Sequence, residues 1–258
     1  MLKRITYVLT LSLLIASCSK DKEMSEEVTF TSTELNSIFN TDDIAGVADD
    51  VLSELFVSGP MTGKTSEQVK CYLAEYTNTG YNVTFDNCTL NGKDNINGTV
   101  SVTYNLEMEA SSFTATYVDF YVGDITINGT RTIAVTNNSA DNSFSFAATS
   151  DMTIVMPNGE EISEKGTKIF AFSIGEDLQT STFGLSGNWT LKVDGNTYKV
   201  AITEPLSGSA ECSFFTKGSM SIEKNGLLVL LDLGDGSCDN NATITYPDGN
   251  REEINVKG

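Results

Sequence analysis

The sequence predicts a mainly β protein. It is read as an antiparallel multi-stranded meander (sandwich, barrel or broad curved sheet) with one N-terminal amphipathic helix. Three observations carry this. From about Gln68 onward, apolar and polar residues alternate with a period of two, the pattern of strands with one buried face. Dipeptides of the tight-hairpin kind punctuate that stretch: Asn158-Gly159, Asp194-Gly195, Asn225-Gly226 and Asp248-Gly249. They supply the positive φ angles of two-residue turns, and strands joined that closely run antiparallel. Ahead of this region, one stretch has helical period instead.

That stretch is marked by Ile44, Val47, Ala48, Val51, Leu52 and Leu55, which fall on one helical face. Thr41 or Asp42 can cap its start, and Asp42 and Asp43 suit the positive end of the helix dipole. Gly59-Pro60 ends it, and Asp49, Asp50 and Glu54 lie on its outer side. Candidate strands follow at 69–75, 81–85, 99–106, 113–122, 125–135, 143–148 and 153–156. More lie at 167–174, 188–193, 197–202, 219–223, 227–233, 242–246 and 252–256. The resulting division is a leader over 1–17, a tether over 18–30, a helical segment over 31–62 that packs on the body, and a β domain over 63–258. A weak internal echo hints at a duplicated module. Gly98-Thr99-Val100-Ser101-Val102 resembles Gly218-Ser219-Met220-Ser221-Ile222, and Gly129-Thr130-Arg131-Thr132-Ile133 resembles Gly187-Asn188-Trp189-Thr190-Leu191.

The chain has 258 residues, 16 Lys+Arg against 35 Asp+Glu, and no histidine. This length buries a real core. Without histidine there is no Ser-His-Asp triad, no Cys-His dyad and no imidazole metal ligand. An acidic body repels nucleic acid phosphates, so nucleic acid is not an expected partner.

The first residues read as an export signal. Lys3 and Arg4 precede an apolar run from Val8 to Ile15 that is shorter than the roughly 20 residues of a bilayer-spanning helix. Leu14-Ile15-Ala16-Ser17-Cys18 then resembles the lipobox of bacterial lipoproteins. The resemblance implies cleavage before Cys18, diacylglycerol on its thiol and acylation of the new amino group. It places the protein at the outer membrane, held by lipid on the periplasmic side or at the cell surface. The segment from Ser19 to Glu27 is polar apart from Met24 and reads as a flexible tether. Its Lys20, Asp21, Lys22 and Glu23 cluster resembles, loosely, the surface-export signals of Bacteroidota lipoproteins, although Lys22 interrupts the acidic run those signals favour. Removing the leader takes away two positive charges and no acid, which moves the net charge from −19 to −21.

Five cysteines look odd for an exported chain, but assigning Cys18 to lipid leaves Cys71, Cys88, Cys212 and Cys238. An oxidising compartment favours disulfides, and four cysteines allow three connectivities. The sequence-local choice, Cys71–Cys88 and Cys212–Cys238, staples neighbouring strands. A zinc site is disfavoured, since there is neither a CxxC pair nor a histidine.

Few places suit chemistry. The run Asp232-Leu233-Gly234-Asp235-Gly236-Ser237-Cys238-Asp239-Asn240 gathers oxygen ligands of the kind calcium prefers, but it lacks the EF-hand spacing and reads first as an acidic turn. An acidic glycine turn and cysteine before a final hairpin resemble the endings of some Bacteroidota lipoproteins, which implies no activity. By alternation, Phe113, Tyr117 and Tyr121 share one face of their strand, and Val118, Phe120 and Val122 the other. That suggests a strand covered on both sides, or else an exposed Tyr117/Tyr121 platform for a ligand. Trp189 is expected in the core. Glu160/Glu161 and Glu252/Glu253 pair carboxylates, but in polar hairpin contexts rather than the buried site a glycosidase acid needs. No G-x-S-x-G elbow is present.

The sequence therefore points to a non-enzymatic, lipid-anchored envelope or cell-surface protein with a ligand-binding or structural role. It needs no cofactor and no metal, and its ligand or envelope partner is not specified. Two alternatives stand beside this. One is a carrier of an apolar ligand or lipid in a concave sheet. The other is a carboxylate-only hydrolase of glycans.

Overall fold

The computed structural model describes residues 30–31, 33–35, 38–39, 66–69, 71–90, 93–105, 111–138, 142–177, 179–212 and 214–256. Among these residues, fourteen strands form one sheet: β1 (Ser66–Val69), β2 (Tyr72–Thr77), β3 (Gly80–Leu90), β4 (Lys93–Asn105), β5 (Ser111–Val122), β6 (Ile125–Asn138) and β7 (Ser143–Val155), then β8 (Glu161–Ser173), β9 (Thr182–Val193), β10 (Asn196–Ser209), β11 (Lys217–Lys224), β12 (Leu227–Asp235), β13 (Asn241–Thr245) and β14 (Arg251–Asn255). Spatial order equals sequence order. Every pairing is antiparallel, and β1 and β14 each have one strand partner among the described residues. Of the three expected architectures, the open sheet is the one present. Its two edges are short, four and five residues, and β14 carries Arg251, Glu252 and Glu253. Short, charged edges resist pairing with another chain.

Alternation builds an inner, buried face and an outer, wetter one. One row of register partners crosses the inner face through Val102, Ala115, Arg131, Ser150, Gly166, Trp189, Val200, Ile222 and Val229. Behind it on the outer face, Thr103, Thr114, Thr132, Thr149 and Thr167 stand in register across five strands. Their hydroxyls pair across strands, Thr114 with Thr132 at 2.8 Å and Thr149 with Thr167 at 2.9 Å.

Two stretches expected as separate strands, 143–148 and 153–156, are one strand. β7 pairs without a break along β6 and β8. The polar run read as a turn alternates like the rest: Thr149 and Asp151 are exposed, while Ser150 is buried opposite Gly166. Similarly Gly187, expected at a strand start, lies inside β9.

The internal echo has a local physical counterpart. Gly98 and Gly218 have φ of 93° and 107°, and Gly129 and Gly187 both have 118°. A Cβ at Gly129 would lie 2.2 Å from the Asp151 carbonyl oxygen, and one at Gly187 would lie 2.2 Å from that of Thr167. Each marks a place where the neighbouring strand's backbone leaves no room for a Cβ, which only glycine permits.

The amphipathic stretch Ile44 to Leu55 lies outside the described residues, as do Cys18, the leader and the tether up to residue 29. What is described of the helical segment is its beginning, helical at 33–35 and 38–39. Thr31 and Glu34 form a reciprocal capping box: the Glu34 carboxylate accepts from the Thr31 N–H at 2.9 Å, and the Thr31 hydroxyl accepts from the Glu34 N–H at 3.3 Å. Phe30, the last residue of the expected tether, is buried with Leu35 and Ile38. Glu34 pairs with Lys224 and accepts from the Tyr198 hydroxyl at 2.8 Å. Burial pushes the Glu34 carboxyl up, but hydrogen bonds from Lys224, Tyr198 and Thr31 outweigh it and hold the group below the usual carboxylate range. Burial raises the Tyr246 phenol to about 12, helped by its hydrogen bond to Glu252, and its hydroxyl also donates to the Phe30 carbonyl.

The two sequence-local disulfides are present, with Cα separations of 5.1 Å for Cys71–Cys88 and 5.7 Å for Cys212–Cys238. The first ties the β1–β2 turn to β3. The second ties the β10–β11 loop to the β12–β13 loop.

Candidate functional site

The expected Tyr117/Tyr121 platform does not form. β5 carries a bulge between Tyr117 and Phe120, where Asp119 adopts φ of 44°. The extra residue reverses the alternation beyond it. Tyr117, Phe120 and Val122 therefore all point inward at 5% exposure or less, while Val118 and Tyr121 are 54% and 39% exposed on the other side. The same shift overturns the expectation that both faces of this strand are covered. The bulge is held by polar groups: the Asp119 N–H donates to Asn128 Oδ1 at 2.8 Å. A companion network on β3 and β4 links the Asn87 N–H to Asn97, Asn97 to Asn95, and Asn95 to the Gly123 carbonyl.

The acidic loop spends its carboxylates on itself. Asp232 accepts from the Gly234 N–H at 2.9 Å, Asp235 from the Ser237 N–H at 3.1 Å, and Asp239 from the Asn241 N–H at 3.0 Å. These are Asx turns, each closing a bend of the loop. The Ser237 hydroxyl and N–H hold the Asp235 carboxyl below its usual range. Among the described residues, no group of three or more Cys, Asp or Glu side chains is arranged to hold a metal ion. Glu161, Glu252 and Glu253 are exposed and Glu160 is partly so, all beside hairpin turns.

The unexpected feature is charge on the inner face of the sheet. Arg131, Glu164 and Lys168 are buried, at 4%, 4% and 1% exposure. Lys168 Nζ lies 2.6 Å from Glu164 Oε2 and 4.7 Å from the centroid of the Trp189 ring. Gly166 stands between the two charged residues on β8. Its missing side chain is what admits Trp189, since a Cβ there would sit 2.7 Å from the Trp189 Cβ. Trp189 is buried as expected, and its indole N–H has no acceptor among the described residues. Small inner-face residues on β7, Ala148 and Ser150, separate the β6 arginine from the β8 pair. The sequence holds a signal for this. The parity of β8 that buries Ile162 and turns Phe170 and Phe172 inward also passes through Glu164 and Lys168.

Toward the end of the sheet where Asn142 turns into β7, the inner face becomes aromatic and more exposed. Phe144 stacks on Phe172 at 5.0 Å and Phe146 on Phe170 at 4.9 Å, with ring planes within 22°. A second aromatic group, Phe183, Phe214 and Phe215 with Phe39, lies at the same end.

Comparison with known protein families, characterised proteins and solved structures finds no match for this chain. No helix among the described residues is long and apolar enough to cross a membrane.

Proposed function

We propose that this chain is a non-enzymatic outer-membrane lipoprotein of the Bacteroidota type. Its β body, anchored through Cys18 on the periplasmic side or at the cell surface, has a binding or structural role in the envelope. The observation that carries the reading is the Leu14-Ile15-Ala16-Ser17-Cys18 sequence behind a basic and apolar leader. The two disulfides support it, because such bonds persist in oxidising compartments. The inner face supports a non-catalytic body over a glycan hydrolase. Glu164 is the only buried carboxylate among the described residues, and it is neutralised by Lys168 rather than facing a second acid across a water-filled gap.

One observation favours the carrier reading as the form this binding takes: the stacked phenylalanines at one end of the inner face are half-exposed, whereas the centre of the face is filled. The experiment is fractionation of Cys18→Ala. The substituted protein leaves the membrane pellet for the soluble fraction, while wild type stays. Persistent attachment of the variant contradicts the proposal.

A further inference from the structure

We infer that Cys212–Cys238 is a thiol–disulfide exchange site: a dithiol, small or protein-borne, opens it by attack on Cys238, while Cys71–Cys88 stays closed. The two bridges differ in what surrounds each sulfur. Cys88 is 0% exposed within the main apolar cluster, and Cys71 packs against that cluster. Cys238 is exposed, in a loop run from Gly234 to Asp239 that is exposed at every position. Its partner Cys212 is buried at 7% exposure but stands outside the main apolar cluster. Exposed disulfides are the labile ones, because an attacking thiolate must reach a sulfur.

The surroundings also set the direction of attack. A thiolate bonds to Cys238 Sγ as the Cys238–Cys212 bond breaks, and the electron pair leaves on Cys212 Sγ, which takes a proton from water. The second thiol of the dithiol then attacks the mixed disulfide, releases Cys238 as a thiol and leaves the reductant as its own disulfide. The Ser209 hydroxyl lies 3.4 Å from Cys212 Sγ and donates to it. That bond steadies the charge developing on the departing sulfur, and a better leaving thiolate departs faster. At Cys71–Cys88 the less buried residue is Cys71, so the departing thiolate would be that of Cys88, stranded in the apolar core.

Opening has a structural consequence. The bridge holds the β10–β11 loop to the β12–β13 loop, beside a backbone hydrogen bond from the Gly236 N–H to the Thr216 carbonyl at 2.9 Å. Phe214 and Phe215 ride on the first of these loops and meet Phe39, with ring centroids 5.7 Å and 6.1 Å away. Breaking the bridge therefore loosens the loop that clasps the beginning of the helical segment.

The test treats the folded full-length chain with dithiothreitol at pH 8 without denaturant, traps thiols with iodoacetamide and reads each cysteine by peptide mass spectrometry. Cys212 and Cys238 are expected to be alkylated at least about tenfold sooner than Cys71 and Cys88. Brief exposure to the monothiol 2-mercaptoethanol leaves the mixed disulfide on Cys238 and the alkyl group on Cys212. Ser209→Ala slows opening about threefold, the size of one weak hydrogen bond. Reduced thioredoxin, a protein dithiol, opens the bridge as well, since the exposed run leaves room for it. Hydrogen exchange on the singly reduced chain quickens over 210–216 and at Phe39 and is unchanged over β6–β8, and Cys212→Ser/Cys238→Ser does the same without reductant. Equal rates at the two bridges, or earlier opening of Cys71–Cys88, overturn the exchange site. A mixed disulfide on Cys212 overturns the direction of attack, and an unchanged rate in Ser209→Ala overturns the role of Ser209. Opening by dithiothreitol but not by thioredoxin overturns a protein-borne reductant. Unaltered exchange at Phe39 overturns the coupling to the helical segment.

Discussion

Replacing Lys168 with methionine is predicted to be among the most damaging single substitutions in the sheet. The side chains of Lys168 and Glu164 are 2% and 4% exposed, so neither charge has useful contact with water. Removing the ammonium leaves the Glu164 carboxylate buried without its partner, which costs about 3–5 kcal/mol. For a chain of this size, each kcal/mol moves the midpoint by about 2–4 °C, so the melting temperature falls by roughly 10 °C. Glu164→Gln is milder. The remaining ammonium keeps the Trp189 ring at 4.7 Å and an amide oxygen in place of the carboxylate. The double variant Lys168→Met/Glu164→Leu returns to within about 1–2 kcal/mol of wild type, because desolvating the pair offsets most of its attraction. Circular dichroism melts of wild type, the two single variants, Glu164→Leu and the double variant at pH 7 complete the cycle. A loss below about 1 kcal/mol for Lys168→Met would show that water reaches the pair. A double variant worse than either single one would refute the desolvation argument outright.

The bulge in β5 separates two tyrosines that look alike in sequence: Tyr117→Ala should cost about 3–5 kcal/mol and Tyr121→Ala less than about 1 kcal/mol by urea unfolding, with equal losses arguing against the bulge. Opening the Cys71–Cys88 bridge by paired serine substitution should lower stability by about 2–4 kcal/mol, read from the same titration. Glu34 has a depressed folded pKa, so its contribution is complete above the ordinary carboxylate range and is lost as pH falls through the folded value. Glu34→Gln should therefore melt below wild type at pH 7 and together with it in strong acid, and a gap that persists in acid would contradict the sign.

Much of the sheet is written locally. Hairpins at Asp194-Gly195 and Asn225-Gly226 need positive φ at both turn residues, and both pairs adopt it. Strand existence was legible because one buried face imposes a period of two. Phase was not legible in β5, because residues 117, 118, 120, 121 and 122 are all apolar or aromatic and fit either face. Only Asp119 hints at the bulge, through its tolerance of the left-handed region. Strand ends are not legible where polar or glycine residues interrupt the pattern, as at Thr149 to Asp151 and at Gly187. There the pairing of two neighbouring strands overrides local preference. The inward charges on β8 were recoverable from parity but not from composition, since lysine and glutamate are ordinarily read as outward. The phenylalanine stack was not legible at all. Its members lie on different strands, and their meeting depends on the β7–β8 register.

The central proposal is that Cys18 is the lipidated mature N-terminus. Peptide mass spectrometry of the membrane-bound protein tests this directly. The predicted result is an N-terminal peptide that begins at Cys18 and carries acyl mass, with no peptide spanning Ser17 and Cys18. More than one chain is expected, because a single acyl chain holds only weakly. Recovery of an unmodified peptide that crosses the Ser17–Cys18 bond from the membrane-bound protein would contradict it.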